Sequence, residues 1–206
     1  IRWSALTPET IEPSIKQALA EANEAIAKIC SQPPAEATYE SSFVALENAT
    51  ESLSHGWGRL NHLDSVSDNP AQREGLNRML PEVTDFYSSL SLNPQLFNVL
   101  NTVAVSEAAK ELPPIHRRHI EETIEDFKNS GAALPDDMKE RIAAIDAELS
   151  KLTKKYSEHV LDSTNAWELV IDERTKLAGL PASAIAGAAA NAKSKGHPEG
   201  SFRFTL

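Results

Sequence analysis

The sequence predicts a mainly α protein, a multi-helix bundle of about six to seven antiparallel helices with a short strand or two near the C-terminus. Three observations lead to this fold class. Apolar residues recur at intervals of three and four along most of the chain, which is the spacing of one helix face. Only eight of the 206 residues are glycine. Prolines such as Pro8 and Pro135 begin periodic segments, where a missing N–H breaks no helical hydrogen bond.

The first two predicted helices lie on either side of the proline-rich segment SQPPAEAT. Thr7 is expected to be the N-cap of the first helix, with Pro8 at its first position. Its predicted inner face consists of Ile11, Ile15, Leu19, Ala22, Ile26 and Ile29. The second helix is expected to begin near Thr38, and its inner face consists of Phe43, Leu46, Leu53, Trp57 and Leu60. Gly56 and Gly58 within it predict close approach by a neighbour or a local bend.

A third helix is expected from about Ala71 to Leu90, and a fourth after the LNP segment. Pro81 lies inside the third helix and predicts a kink or a break, because proline removes a hydrogen bond and clashes with the preceding turn. The inward positions of these two helices are Leu76, Met79, Leu80, Val83, Phe86, Leu90, Leu96, Leu100 and Val103.

The fifth and sixth helices follow the segments ELPP and LPDD. Gly131 is the predicted C-terminal stop of the fifth helix. In the sixth, apolar residues alternate between spacings of four and three, namely Met138, Ile142, Ile145, Leu149, Leu152 and Tyr156. This spacing predicts the seam of an antiparallel helix pair or a coiled coil.

The pattern changes after the sixth helix, so we divide the sequence into a helical bundle, residues 1–167, and a terminal segment, residues 168–206. WELVIDE predicts a short strand, the alanine-rich stretch after Leu180 a helix ending at Gly196, and GSFRFTL a terminal strand. A lone strand leaves its edges unpaired. We therefore expect its partner strand, and the remainder of a longer polypeptide, to lie beyond Leu206.

Composition excludes several classes of function. The formal net charge is −10, which disfavours binding to nucleic acid because phosphate backbones would be repelled. No apolar run is long enough to cross a membrane. Cys30 is the only cysteine, so no internal disulfide and no cysteine cluster for zinc can form, and a reducing compartment is favoured.

The segment PPIHRRHIEE is the strongest candidate for a metal site. His116 and His119 lie three residues apart, on one face of the predicted helix. Two arginines lie between them, however, and the zinc-peptidase pattern His-Glu-x-x-His is absent from the sequence. The histidines are therefore interpreted either as ordinary helix residues or as adventitious metal ligands. The residues predict no catalytic, cofactor-binding or metal-ligating position in this chain, and Cys30 is interpreted as packed rather than nucleophilic.

Several segments, in order, resemble the thimet oligopeptidase–oligopeptidase A family of zinc metallopeptidases. They are ALTPETIEPSI, TYESSFVALENATESL, RLNHLDSVSDNPAQREGLNRMLPEVTDFYS and the long stretch from IEDFKNSGAAL to DERTKLAGLPASAI. The resemblance covers essentially the whole chain. Glu125, Tyr156, His159 and Ser163 depart from the family pattern and are interpreted as surface or packing changes.

The resemblance implies that this chain is the N-terminal, non-catalytic part of a cytoplasmic zinc-dependent oligopeptidase that hydrolyses short peptides. The zinc ligands of the family lie in the C-terminal half, so this chain would hold no cofactor, would form part of a substrate-channel wall and would be inactive alone. Its partners would be short peptides and the missing C-terminal catalytic region, with neither nucleic acid nor membrane.

The alternative is a stand-alone helical module that binds peptides or other proteins. Its motivation is the apolar surface expected around Leu161, Trp167 and the terminal strand, which a catalytic half would otherwise cover. Under both interpretations we expect exposed apolar surface and a tendency to self-associate.

Overall fold

A computed structural model describes residues 6–67 and 69–206. The chain forms two compact units, residues 1–152 and 153–206. The boundary between the units falls inside a long helix, whereas the sequence interpretation placed its division after that helix, at 167/168.

Helices account for most of the described residues, which confirms the predicted fold class. The α-helices are α1 (Pro8–Ser31), α2 (Ala45–Val66), α3 (Pro70–Leu92), α4 (Pro94–Ala104), α5 (Glu107–Lys110), α6 (Pro114–Asn129), α7 (Asp136–Ala166) and α8 (Ala182–Ser194). Short 3-10 helices lie at Pro34–Glu36 and Arg174–Leu177, and a π-helical turn at Glu40–Val44 leads into α2. The strands are β1 (Glu168–Ile171) and β2 (Phe202–Thr205).

Local side-chain chemistry sets the helix starts. The Asn69 side chain accepts a hydrogen bond from the backbone N–H of Gln72 at 3.0 Å and begins α3. Asn93 does the same for α4, accepting from the N–H groups of Gln95 and Leu96. Thr7 occupies the predicted N-cap position of α1, but its side chain caps none of the first-turn N–H groups.

Pro81 does not interrupt α3, so the predicted break is wrong. The helix runs continuously from Pro70 to Leu92 with Pro81 inside it. Pro81 itself is exposed, whereas Met79 and Val83 on either side of it are buried. Burial of the opposite face holds the helix together, and the backbone carbonyl freed by proline lies on a side that water can reach.

The core of the first unit consists of two apolar clusters. The α1–α2–α3 cluster contains Ile11, Ile15, Ala18, Leu19, Ala22, Leu53, Leu60, Leu76, Met79, Val83 and Phe86. The α4–α6 cluster contains Ile26, Ile29, Tyr39, Phe43, Leu46, Leu96, Val99, Leu100, Val103, Ala109, Ile120, Ile124, Phe127 and Ala132. The predicted inner faces of α1 and α4 are confirmed, while Trp57, Leu80 and Leu90 are only partly buried.

Gly131 ends α6, as predicted, with two hydrogen bonds that satisfy the last carbonyls of the helix. The Ala132 N–H donates to the Phe127 carbonyl at 2.9 Å, and the Gly131 N–H donates to the Lys128 carbonyl at 3.0 Å. This pattern requires a positive φ at the residue after the cap, and Gly131 has φ 101°. A Cβ added there would lie 2.7 Å from Cδ1 of Ile142 on α7.

Replacing Gly131 with alanine is expected to lower the free energy of unfolding by about 2–3 kcal/mol, combining backbone strain with the clash against Ile142. Gly196 is a matched control because it ends α8 in the same way, with φ 78° and no atom within 4 Å of an added Cβ. Gly196→Ala should therefore cost only about 1 kcal/mol. Urea denaturation followed by circular dichroism measures both losses, and equal losses would contradict the steric part of the argument.

The second unit contains a two-stranded antiparallel sheet. β1 pairs with β2 in a register that places Glu168 opposite Thr205 and Ile171 opposite Phe202. The expectation that the partner of the terminal strand lies beyond Leu206 is therefore wrong, because β1 supplies that partner. Leu177, Ala188 and Phe202 form the buried cluster beneath the sheet.

Candidate interaction surface

His116 and His119 both contact the ring of Tyr39, which lies just before the π-helical turn. His116 stacks on that ring, with centroids 4.7 Å apart and planes inclined by 14°. His119 accepts or donates a hydrogen bond through Nδ1 to the Tyr39 hydroxyl at 2.9 Å. Burial raises the pKa of the Tyr39 phenol, and the nearby carboxylates Glu40 and Glu47 raise it further. The shared helix face predicted for the two histidines is thus used to hold an aromatic ring of the core.

This arrangement does not fit a zinc site. Nδ1 of His119 is engaged by tyrosine, and its Nε2 lies 3.7 Å from a carboxylate oxygen of Glu47. Nδ1 of His116 is buried without a hydrogen-bond partner among the described residues. Within residues 6–67 and 69–206, no three His, Cys, Asp or Glu side chains are grouped so that they could hold a metal ion.

Cys30 packs against the α4–α6 cluster and is partly buried. Burial raises the pKa of its thiol, which disfavours the thiolate that a nucleophile needs.

Helix α7 turns a polar face toward α3. The Ser150 hydroxyl shares a hydrogen bond of 2.7 Å with the Thr84 hydroxyl, and the Ser88 hydroxyl donates to Asp146 at 2.9 Å. A groove of about 400 Å³ runs beside these contacts, with Pro81 and Ala147 among its lining residues. None of the residues of α7 is fully buried.

The apolar residues of α7 consequently lie on the outside. We call this set the outer stripe, and it consists of Met138, Ile145, Leu149, Leu152, Tyr156 and Val160. Their exposed fractions run from 44% at Met138 to 71% at Tyr156. At 1.5 Å per residue the stripe is about 33 Å long. The predicted seam of α7 is thus an apolar row that the described residues leave uncovered, and only Ile142 of the predicted set is partly covered.

Sequence reasoning found the stripe and missed its orientation. The missed residues are the polar ones that face α3, chiefly Asp146 and Ser150. A signal for them exists, because these two lie four residues apart and so share a helix face. When a polar row lies beside an apolar row on a helix, the sequence alone does not determine which row packs against the neighbouring helix.

A second apolar surface lies in the second unit, where the sequence predicted it. Trp167 is 43% exposed and Leu169 is 47% exposed, while Leu161 is partly covered. We call Trp167, Leu169 and the two sheet edges that no other described strand pairs with the terminal surface. Unpaired strand edges and exposed large apolar side chains together are typical of a surface that another chain segment covers.

Arg203 fixes the sheet beneath the terminal surface. Its guanidinium donates to Glu168 on β1 at 2.5 Å and to the side-chain oxygen of Asn191 on α8 at 2.8 Å. The hydrogen bond from Arg203 lowers the pKa of Glu168. One side chain on β2 therefore ties the strand both to its neighbour and to the helix.

None of the described helices has the length and apolar character needed to cross a membrane.

Comparison with known proteins gives one consistent family. Residues 15–139, more than half of the chain, match the family described as Neurolysin/Thimet oligopeptidase, N-terminal domain. Oligopeptidase A of Haemophilus influenzae is 30% identical over 204 residues, covering 99% of this chain and 29% of that protein. A probable cytosolic oligopeptidase A of Arabidopsis thaliana is 36% identical over 152 residues, covering 74% of this chain and 22% of that protein. Oligopeptidase A of Escherichia coli is 28% identical over 193 residues, covering 94% of this chain and 28% of that protein.

The chain thus spans less than a third of the length of these relatives, and its match to the Haemophilus protein runs through both compact units. The resemblance inferred from the sequence segments is confirmed by these matches. The chain belongs to the neurolysin/thimet oligopeptidase family, of which it represents the N-terminal domain.

Proposed function

We propose that this chain is the N-terminal, non-catalytic part of an oligopeptidase A-like zinc metalloendopeptidase that hydrolyses short peptides. The observation that carries the proposal is the match to oligopeptidase A over 99% of this chain but only 29% of the relative. The His-Glu-x-x-His pattern of zinc peptidases is absent from the sequence, and the two clustered histidines are engaged by Tyr39. In this proposal a catalytic region outside the 206 residues binds the zinc.

The proposed role of this chain is structural. Its helices form part of the wall of the substrate channel, and the terminal surface packs against the catalytic region. Exposed Trp167 and Leu169 beside free strand edges offer both apolar area and unpaired backbone groups for that contact. The proposed location is the cytoplasm, in keeping with the lone cysteine.

The proposal predicts that the isolated chain does not hydrolyse peptides. The pure chain, supplied with zinc, is incubated with a quenched fluorescent oligopeptide, and Haemophilus influenzae oligopeptidase A serves as the active reference. We expect no fluorescence increase above buffer, because the His-Glu-x-x-His pattern, which binds zinc and supplies the general base in zinc peptidases, is absent from the sequence. Turnover by the pure chain that a chelator abolishes would contradict the proposal.

The exposed outer stripe favours a second candidate function, a stand-alone helical module that binds peptides or proteins. A binding assay separates the two candidate functions. The oligopeptide then carries a single dye, and its fluorescence anisotropy is measured as the chain is added. A saturable rise in anisotropy without turnover would favour the module, since a channel wall without its opposite side has little concave surface on which to hold a peptide.

A further inference from the structure

The groove between α3 and α7 lies wholly within the first unit. Its volume of about 400 Å³ is in the range of small-molecule sites. Thr84, Ser88 and Ser150 line its floor, where they are partly buried and join the two helices through hydrogen bonds. Exposed residues form its walls, including Asp85 on α3 and Lys151 on α7. The groove is therefore open to solvent and has polar groups at its base.

Small side chains on α7 keep the groove open. Ala143, Ala147 and Lys151 lie four residues apart and form one row on the helix surface. An alanine side chain ends at Cβ, so the two alanines leave space beside α3 that a longer side chain would fill. The row thus combines an apolar surface with a cation at its end.

Two charged side chains of the groove have no partner among the described residues. Neither Asp85 nor Lys151 forms a hydrogen bond or an ion pair with a residue in the described part of the chain. Glu82, the other charged residue of the lining, interacts with Lys16 on α1, where it adds to the rise in the ammonium pKa that the hydrogen bond with Glu12 mainly causes. Asp85 and Lys151 are consequently the carboxylate and the ammonium group that remain available to a ligand.

These two charges lie at nearly the same level of the groove. The two interhelical hydrogen bonds pair residues of α3 and α7 in opposite chain order, so the helices run antiparallel here. In that register Asp85 and Lys151 are offset by about two residues, or about 3 Å along the helix axis. The axes of helices in contact are about 8–10 Å apart. A ligand that joins the two charges must therefore be short and must cross the groove.

We propose that this groove binds a free α-amino acid with an aliphatic side chain. The α-ammonium group of the ligand binds the Asp85 carboxylate, and its α-carboxylate binds the Lys151 ammonium group. The aliphatic side chain lies along Ala147 and Ala143, which removes apolar area from water. The inference goes beyond the proposed function and does not depend on it.

The hydroxyl groups of the floor supply a further donor for the ligand carboxylate. Thr84 and Ser150 share one hydrogen bond of 2.7 Å, which uses one of their two hydroxyl protons and leaves the second to donate to the ligand. A simple amine would leave Lys151 without a partner, and a simple acid would be repelled by Asp85. A zwitterion matches both charges, so the groove favours an amino acid over either of them.

Titration of the complete 206-residue chain with L-leucine, followed by ¹H–¹⁵N correlation spectra, tests the proposal. We expect saturable shifts centred on the amides of residues 80–88 and 143–151, with a Kd of about 0.1–10 mM. L-Leucinamide lacks the carboxylate and N-acetyl-L-leucine lacks the ammonium group, so each should bind at least about tenfold more weakly. Leucylglycine should also bind less tightly than leucine, because its carboxylate lies one residue farther from its ammonium group.

Substitutions that remove either charge of the groove test the assigned contacts. Asp85→Asn and Lys151→Gln should each weaken leucine binding at least about tenfold. Asp126→Asn and Lys128→Gln on α6 are matched controls, since they remove the same charges from exposed positions outside the groove. Their affinity should stay within about twofold of wild type. Circular dichroism establishes that each variant keeps its helical content.

A third substitution tests the path of the aliphatic side chain. Ala147→Leu should fill the groove and weaken leucine binding at least about tenfold. Ala144→Leu makes the same change on the same helix at an exposed position that does not line the groove, and it should leave the affinity unchanged. Equal losses in the two variants would contradict the assigned path.

Several results would overturn the proposal. Leucine that produces no saturable shift up to ~50 mM would exclude the site. Leucinamide or N-acetyl-leucine binding as tightly as leucine would exclude the paired charges, and tighter binding of leucylglycine would exclude a free amino acid as the ligand. Equal losses in the α6 controls and the groove variants would place the binding elsewhere. The titration measures binding and not peptide turnover, so failure of either proposal leaves the other standing.

Discussion

Truncating Phe43 to alanine is expected to lower the free energy of unfolding by about 3–5 kcal/mol. Phe43 lies in the π-helical turn and is 1% exposed. Its ring packs against Tyr39 and His119, with a centroid separation of 6.0 Å in each case. Alanine would leave a cavity that neighbouring helices can fill only in part, and would remove the aromatic contacts that join the turn to α6.

The loss at Phe43 is measured by urea denaturation with far-ultraviolet circular dichroism. Tyr87 on α3 provides an aromatic control because it is 36% exposed, and Tyr87→Ala should cost about 1 kcal/mol, since less of its area leaves water on folding. Comparable losses for the two variants would mean that the π-helical turn does not help to organise the core. The midpoint shift should appear without a change in the slope of the denaturation curve, because the exposed area of the unfolded chain is nearly the same.

Periodicity predicted the elements that bury a single face. All six inner positions assigned to α1 are buried, because a regular spacing of three and four determines a helix face whatever packs on it. Gly131 was predictable for a similar reason, since the residue after a helix end often needs a positive φ that glycine adopts without strain. The short strand β1 and the alanine-rich helix α8 also lie where the local pattern placed them.

Tertiary pairing was not predictable in the same way. The outward direction of α7 depends on contacts from Asp146 to Ser88 and from Ser150 to Thr84, pairs separated by 58 and 66 residues. The role of His119 depends on Tyr39, which is 80 residues away. No local spacing encodes such distant partners, so the sequence predicted which side chains share a face but not what each face meets.

The glycines also show that local sequence does not predict tertiary contacts. Gly56 and Gly58 suggested close approach by a neighbour, yet a Cβ at Gly56 would be in ordinary contact with Ile15, at 3.8 Å, and one at Gly58 would have no neighbour within 4 Å. The close approach occurs instead at Gly75 on α3, where an added Cβ would lie 3.1 Å from Cδ1 of Ile11. Which glycine meets a neighbouring helix depends on how α1 crosses α2 and α3, and that crossing is a property of the packed core.

The second large effect is expected at Phe202, where alanine should abolish the protection of the two-stranded sheet. Phe202 on β2 is 6% exposed, and it is one of three buried residues, with Leu177 and Ala188, in the cluster beneath the sheet. Removing a buried phenylalanine costs about 3–5 kcal/mol. A unit of residues 153–206 buries little apolar area and so has little stability to lose.

Hydrogen exchange followed by mass spectrometry measures the effect at the amides of residues 168–171 and 202–205. In the wild-type chain alternate amides of these residues are hydrogen-bonded across the sheet. For those amides we expect Phe202→Ala to raise the exchange rate at least about 100-fold, as a loss of 3 kcal/mol implies. Leu169→Ala is the matched control: Leu169 lies in the same sheet, is 47% exposed and pairs with Phe204, and should change exchange less than about tenfold. If Phe202→Ala leaves the strands protected, backbone pairing and the Arg203 contacts to Glu168 and Asn191 would have to hold the sheet without its apolar support. That outcome would conflict with the marginal stability of an isolated hairpin in water.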